Sequence, residues 1–322
     1  MTLLFAPRLV EPVVGALLAG IDFDGGPTDE QLSVLSAIVN HVWGRSDLDL
    51  RTVRHVGPQE LADLLPDEDH RTAFHELHVA LEACRHPQTE GQVQAVQTYA
   101  DALGVEGDDL AMFRDLVTEG VETAAADYRR FLGHNFDERA EPGLSDMVAD
   151  ADHRELALTE KLGTFAEYGP ETLGRAFLGF YQRFGITLPG LEKSTDHHFF
   201  VSHDMTHVIA GLSVTIAAEV ALSGFQFAMN NDRLNRAALL ASLVAHEAGF
   251  GHPSHLSRPD TAVLADPAHA RLLATELRRG SLCTADFSLI DHFEVAPMSL
   301  ADVRAEFGVL APENPADADH WW

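Results

Sequence analysis

Basic residues are scarce in this 322-residue chain. Lys and Arg number 22 against 50 Asp and Glu, for a formal net charge of −28. No basic stripe interrupts the acidity, so phosphate backbones are repelled and no nucleic-acid partner is expected. Anionic lipid headgroups are repelled overall as well, although a local patch could still dock peripherally at a membrane. Cysteine is nearly absent. Cys84 and Cys283 lie far apart, so neither a disulfide framework nor a Cys-rich structural zinc site is indicated, and a cytoplasmic setting is the default expectation. Strand signals are sparse. There is no G-x-S-x-G, no P-loop and no dinucleotide-binding glycine fingerprint, which leaves serine hydrolase, NTPase and Rossmann chemistry without support. A membrane span is also missing. Leu3 to Ile21 is apolar but has no basic start and is interrupted by Arg8, Glu11 and Pro12, so a cleaved signal is not expected. Ile209 to Met229 is long enough to cross a bilayer, but Glu219 sits at its centre and Gly211 breaks it, so a buried hairpin is the better reading.

What the chain does have is apolar material. Hydrophobic residues make up 46%, enough for real cores, so the negative charge reads as a solvated acidic surface rather than disorder. The length suggests two domains. Nearly every periodic segment is helical. Thr28-Asp29-Glu30-Gln31 is a capping box before Leu32, Leu35, Ile38, Val39, Val42 and Trp43. Phe74, Leu77, His78 and Leu81 form a second stripe. Thr89 and Gln92 cap a third helix that ends at Gly104, and Leu110, Phe113, Leu116 and Val117 begin a fourth. The acidic stretch Asp137 to Asp152, with Pro142-Gly143, marks a domain boundary. The expected organisation is all-α: a helical domain over residues 1–140, a second over 155–311, and a tail over 312–322. Trp321 and Trp322 at the end of that tail fit a membrane interface or, more ordinarily, a loose terminus.

The densest chemistry is His203-Asp204-Met205-Thr206-His207 followed, after eleven residues, by Glu219. On a helix His203, Asp204 and His207 fall within one arc of roughly 100°, so three side chains can face one ion. Glu219 cannot join them along a straight helix, because twelve residues rise about 18 Å. A break at Gly211-Leu212-Ser213, with Gly211 as a left-handed cap, folds the segment back and brings Glu219 beside His207. Glu219 is the only charged residue between Ile209 and Met229, and a buried carboxylate calls for a cation or a hydrogen-bond network. Helix capping by the His-Asp pair and a satisfied core glutamate are the plain alternatives. As metal ligands, imidazole and carboxylate suit Zn²⁺, Fe²⁺, Mn²⁺ or Co²⁺ better than Ca²⁺. Other histidines stand nearby in sequence. His197-His198 precede the motif, and His246-Glu247 with His252 follow it. His252 is six residues on from His246, not the four of a zincin motif, so zincin geometry fails, and supporting contacts or capping are expected of all of these. Leu173, Phe177, Phe180, Tyr181 and Phe184 form an aromatic stripe that reads first as core and second as an apolar wall for a ligand; Phe199, Phe200, Phe225 and Phe227 add to it.

The same segment resembles the HDxxHx11E signature of the coenzyme Q biosynthesis protein 4 family. Gly169-Pro170-Glu171-Thr172-Leu173-Gly174-Arg175-Ala176-Phe177 is similar to that family's "PEGTLGRAY" helix start. Leu277-Arg278-Arg279-Gly280 with Asp286-Phe287 resembles its "RRG…DW" stretch, and Leu300 to Val309 its closing "EVRxxLGI". The likeness covers about residues 155 to 311. It departs at Ala218 and Phe287, where the family usually has Gly and Trp; neither change removes a ligand. Residues 28–133 bear a slighter resemblance to the tellurite-resistance TerB-like helical domain, carried by Tyr99 to Val105, although His86 to Glu90 replaces that family's acidic turn. The first resemblance implies a metal held by His203, Asp204, His207 and Glu219, an apolar or prenylated aromatic acid as ligand, and oxidative replacement of a ring carboxylate by hydroxyl. Four protein ligands on a six-coordinate metal would leave two positions for substrate and O₂ or water. It also implies an alternative, a non-catalytic lipid-binding organiser, to which a homodimer, partner biosynthetic enzymes or membrane association would be suited. A metal phosphohydrolase of the HD type is a third reading; it needs a further His and Asp. A diverged member acting on another aromatic acid fits the added domain and acidic surface.

Overall fold

The computed structural model describes residues 3–105, 121–148, 154–194, 196–247 and 262–322. Among them are fourteen α-helices and no strand, so the chain is all-α as its periodicity indicates. Extended pairing is confined to two isolated bridges, Thr172 with Ser299 and Leu212 with His320. In chain order the helices are α1 (Pro7–Ile21), α2 (Asp29–Ala37), α3 (Pro58–Leu64), α4 (Glu68–Ala83), α5 (Glu90–Leu103), α6 (Val121–Glu138) and α7 (Leu156–Gly163). They continue with α8 (Leu173–Phe184), α9 (His197–Ala210), α10 (Ile216–Met229), α11 (Arg233–His246), α12 (Pro267–Gly280), α13 (His292–Val295) and α14 (Leu300–Glu306). The expected helix at Leu110 to Val117 and His252 lie outside the described residues, as does part of the Asp137 to Asp152 stretch.

Two compact units divide the chain. One comprises Met1–Leu132 and Ser223–Ser281, the other Gly133–Leu222 and Leu282–Trp322. The partition is not linear, because α12 packs on α2, close to the chain's start.

In the first unit, local sequence signals do what they should. Thr28 Oγ1 accepts from Gln31 N at 3.1 Å while Thr28 N donates to Gln31 Oε1 at 3.0 Å, closing the capping box of α2. Such a cap contributes about 1 kcal/mol. Thr89 caps α5 through Gln92 N, and Gly104 ends it at φ +69°. The core is built from the buried faces of α1, α2, α4 and α5, including Val13, Leu17, Leu35, Phe74, Leu81 and Tyr99. The apolar segment Leu3 to Ile21 is therefore a core helix with its lead-in, not a surface feature.

In the second unit, α8 and α14 pack on α9. Leu173, Phe177 and Phe180 of α8 are wholly buried, so the aromatic stripe is core. The segment Ile209 to Met229 is not one span: α9 stops at Gly211, at φ +76°, and α10 begins at Ile216. Among the described residues no helix is long and apolar enough to cross a membrane. The tail is not loose. Ser213 N donates to Asp319 O and Trp321 N to Gly211 O, both at 2.9 Å, and Trp321 meets Phe180 with ring centroids 5.5 Å apart.

Candidate metal centre

Helix periodicity sets His203, Asp204 and His207 on one side of α9, and the turn at Gly211 decides whether Glu219 can reach them. Three features hold that turn. Gly211 takes the left-handed conformation that a Cβ disfavours, and a Cβ there would stand 2.6 Å from Trp322 Cε3. Arg304 donates through Nε to Ile209 O at 3.1 Å and through Nη2 to Val208 O at 3.0 Å, satisfying two carbonyls at the end of α9. Its guanidinium also lies over Trp322, 3.7 Å from the ring centroid. Thr215 Oγ1 then accepts from Ala218 N at 3.1 Å and donates to Asp319 Oδ1 at 2.6 Å, fixing the first turn of α10 one residue before Glu219.

The result brings Glu219 back onto α9. Its Oε2 lies 3.2 Å from His203 Nε2 and 3.2 Å from His207 Nε2, and the two nitrogens are 3.1 Å apart. Asp204 belongs to the same cluster, with a carboxylate oxygen and one nitrogen of each imidazole mutually within 4.8 Å. The cluster is graded in burial. His207 is fully enclosed, and Asp204 is 8% exposed. The side chains of His203 and Glu219 keep 21% and 25% exposure, so the group opens to solvent on their side.

Aromatic rings fix the imidazoles. Phe180 packs against His207 with centroids 5.7 Å apart, and Phe199, one turn before His203, stacks on it at 5.2 Å and 24°. Phe136 in turn stacks on Phe199. The phenol of Tyr181, 5% exposed, donates to Asp204 Oδ2. This contact is the functional feature that sequence reasoning missed. The one available signal was that a tyrosine inside an apolar stripe must find a partner for its hydroxyl.

The electrostatics reflect the crowding of charge in a confined space. Burial works against ionisation of Glu219, but the imidazoles of His207 and His203 outweigh it and hold the carboxyl well below the usual carboxylate range. Burial likewise opposes charge on His207, and the Glu219 carboxylate, helped by Asp204, reverses the balance and raises it. At Asp204 burial wins over both imidazoles and the Tyr181 phenol, and the group is raised. Tyr181 is pushed far up by burial and by Asp204's charge, so it stays a phenol donor.

No family model matches the chain, and no curated protein sequence matches it. The chain is similar to a crystal structure of a candidate ubiquinone biosynthesis protein from Nostoc punctiforme. The identity is 16%, covering 73% of this chain and 96% of that one, with a TM-score of 0.33. A likeness that slight decides nothing about chemistry, which rests on the residues of the site itself.

His197 and His198, just before the motif, are occupied elsewhere. His197 Nε2 lies 2.8 Å from Glu192 O, and His198 Nε2 2.9 Å from Glu155 Oε2. Among the described residues no further histidine or aspartate joins the mutual cluster of His203, Asp204 and His207, so the additional His and Asp of a phosphohydrolase centre are not found there. His246 is the last residue of α11, and Glu247 caps it; both belong to the first unit.

The donor set fits a divalent ion. Ligand atoms about 2.1 Å from a common ion, at octahedral or tetrahedral angles, stand about 3.0 to 3.4 Å apart. The three atoms of His203, His207 and Glu219 form a triangle of sides 3.1, 3.2 and 3.2 Å. Hydrogen bonding alone serves this triangle poorly, because each edge needs a proton aimed along it, whereas one cation meets all three lone pairs.

Proposed function

We propose that His203, Asp204, His207 and Glu219 hold one divalent metal ion, and that this centre oxidises an apolar aromatic acid. The single observation that supports the reading is the triangle of Nε2, Nε2 and Oε2 atoms, partly open to solvent on one side. The reaction is the replacement of a ring carboxylate by hydroxyl: the bond from ring to carboxyl carbon breaks, CO₂ leaves, and a C–O bond forms. That change is a two-electron oxidation of the ring carbon: one atom of O₂ becomes the hydroxyl oxygen, and the other leaves as water with two electrons and two protons from an external reductant. A bound ion would supply Lewis acidity toward a carboxylate and, if Fe²⁺, Mn²⁺ or Co²⁺ rather than Zn²⁺, redox chemistry as well.

The protein's own groups have separate tasks in this reading. Glu219, kept ionised, supplies negative charge to the ligand set. His207, buried against Phe180, presents Nε2 in a fixed direction. Tyr181 aims and shields Asp204. Phe200 is 39% exposed one turn before His203, and Ile216 is 53% exposed one turn before Glu219, so apolar side chains flank the open side of the ligand set. An apolar ring or prenyl chain suits that rim.

The test has two stages. His207→Ala should lose one equivalent of metal, measured by elemental analysis after dialysis; unchanged stoichiometry would refute the ligand assignment. Metal-loaded wild-type protein supplied with a reductant should release CO₂ from a prenylated hydroxybenzoic acid and incorporate ¹⁸O from ¹⁸O₂. Firm binding of that acid with neither signal, across Fe²⁺, Mn²⁺, Co²⁺ and Zn²⁺, favours the lipid-binding organiser instead.

A further inference from the structure

The first compact unit holds a second gathering of metal-ligand side chains, unrelated in sequence to the first. Glu30 lies in the first turn of α2, His86 just beyond α4, and Glu247 at the end of α11. His86 Nε2 is 3.0 Å from Glu247 Oε1 and 3.7 Å from Glu30 Oε2. One donor atom from each of the three residues lies within 4.8 Å of the other two. Their side chains are 12%, 15% and 0% exposed for Glu30, His86 and Glu247.

We propose that Glu30, His86 and Glu247 form a second divalent-cation site that ties three distant chain segments together. The donors are held in place before any ion arrives. Leu264 N donates to Glu247 Oε2 at 2.9 Å, and this leaves Oε1 turned to His86. Glu30 sits inside the Thr28–Gln31 capping box, which fixes the first turn of α2. Arg85, next to His86, sends its guanidinium the other way, to the carbonyls of Phe23, Asp24 and Gly26. A divalent cation matches two carboxylates in charge, with an imidazole as the third donor. Two oxygens and one nitrogen suit Mn²⁺ or Zn²⁺. The site is harder than the His203–His207 centre, with one imidazole instead of two, so the two centres should differ in metal preference.

The role of such an ion is mechanical. Residues 30, 86 and 247 are joined by no local structure, and an ion bound only in the folded state stabilises that state by mass action. The experiment uses full-length protein stripped with a chelator and titrated separately with Zn²⁺ and Mn²⁺, followed by dialysis and elemental analysis. Wild type should retain two equivalents. Glu30→Gln and Glu247→Gln should each retain one and lose the share of the metal-induced rise in Tm that the second ion supplies, while His207→Ala also retains one and keeps that share. Circular dichroism identifies any variant that fails to fold, and Glu30→Gln, at the half-open edge of the cluster, is the gentler of the two. Wild type binding no metal, or only an equivalent that His207→Ala removes, overturns the proposal. So does wild-type stoichiometry in folded Glu30→Gln protein. Loss of the His207-dependent equivalent alone bears only on the other centre.

Discussion

Replacing Tyr181 with Phe removes one oxygen from a wholly packed part of the second unit and leaves the ring in place. Tyr181 is 5% exposed and Asp204 8%, so water cannot readily replace the lost donor. A hydrogen bond to a charged group contributes about 1.5 to 3 kcal/mol, and leaving a buried acceptor without it costs a similar amount. At about 1.4 kcal/mol per decade, and by the usual effect of removing a partner behind a metal ligand, affinity for the ion should fall about 10- to 100-fold. The fold should survive, because Phe177, Phe180 and the Tyr181 ring continue to fill the core. The assay is competition with a chromophoric chelator on apo protein, with Zn²⁺ and Mn²⁺, circular dichroism being the control. A folded Tyr181→Phe protein with wild-type affinity would refute the reasoning and remove Asp204 from the ligand set.

Two further outcomes are expected. Gly211→Ala should lower both Tm and metal affinity: the left-handed backbone costs about 1–2 kcal/mol for a residue with a Cβ, and that Cβ would meet Trp322 at 2.6 Å; a Tm within error of wild type would refute the role given to the turn. His78 should make folding pH-dependent. Burial lowers its pKa from 6.5 to about 4, so the folded state holds it neutral while the unfolded chain binds a proton. Its contribution is complete above pH 6.5 and is lost as pH falls toward 4, about 3 kcal/mol in all; urea unfolding across that window should show the slope, and His78→Leu should flatten it.

Much of this architecture could be read locally. The Thr28 and Thr89 caps, the stop at Gly104, the stripes of α2, α4 and α5, and the break at Gly211 all depend on residues within one or two turns of each other, where side chain and backbone meet regardless of the rest of the chain. The facing of His203 and His207 is of the same kind, being fixed by a four-residue helical step. Glu219 marks the edge of that legibility. Its isolation in an apolar run showed that it needed a partner, and the glycine showed where the chain could turn. Its approach to both imidazoles also depends on Arg304, Asp319 and Trp322, about a hundred residues on, which clamp the turn. The partnership of Tyr181 with Asp204 and the convergence of Glu30, His86 and Glu247 carry no local signature at all. The same is true of the return of residues 223–281 to the N-terminal helices. Helical periodicity specifies which face of a segment is apolar, but the face it packs against is chosen by burial summed over the whole chain. Only the tertiary structure decided those contacts.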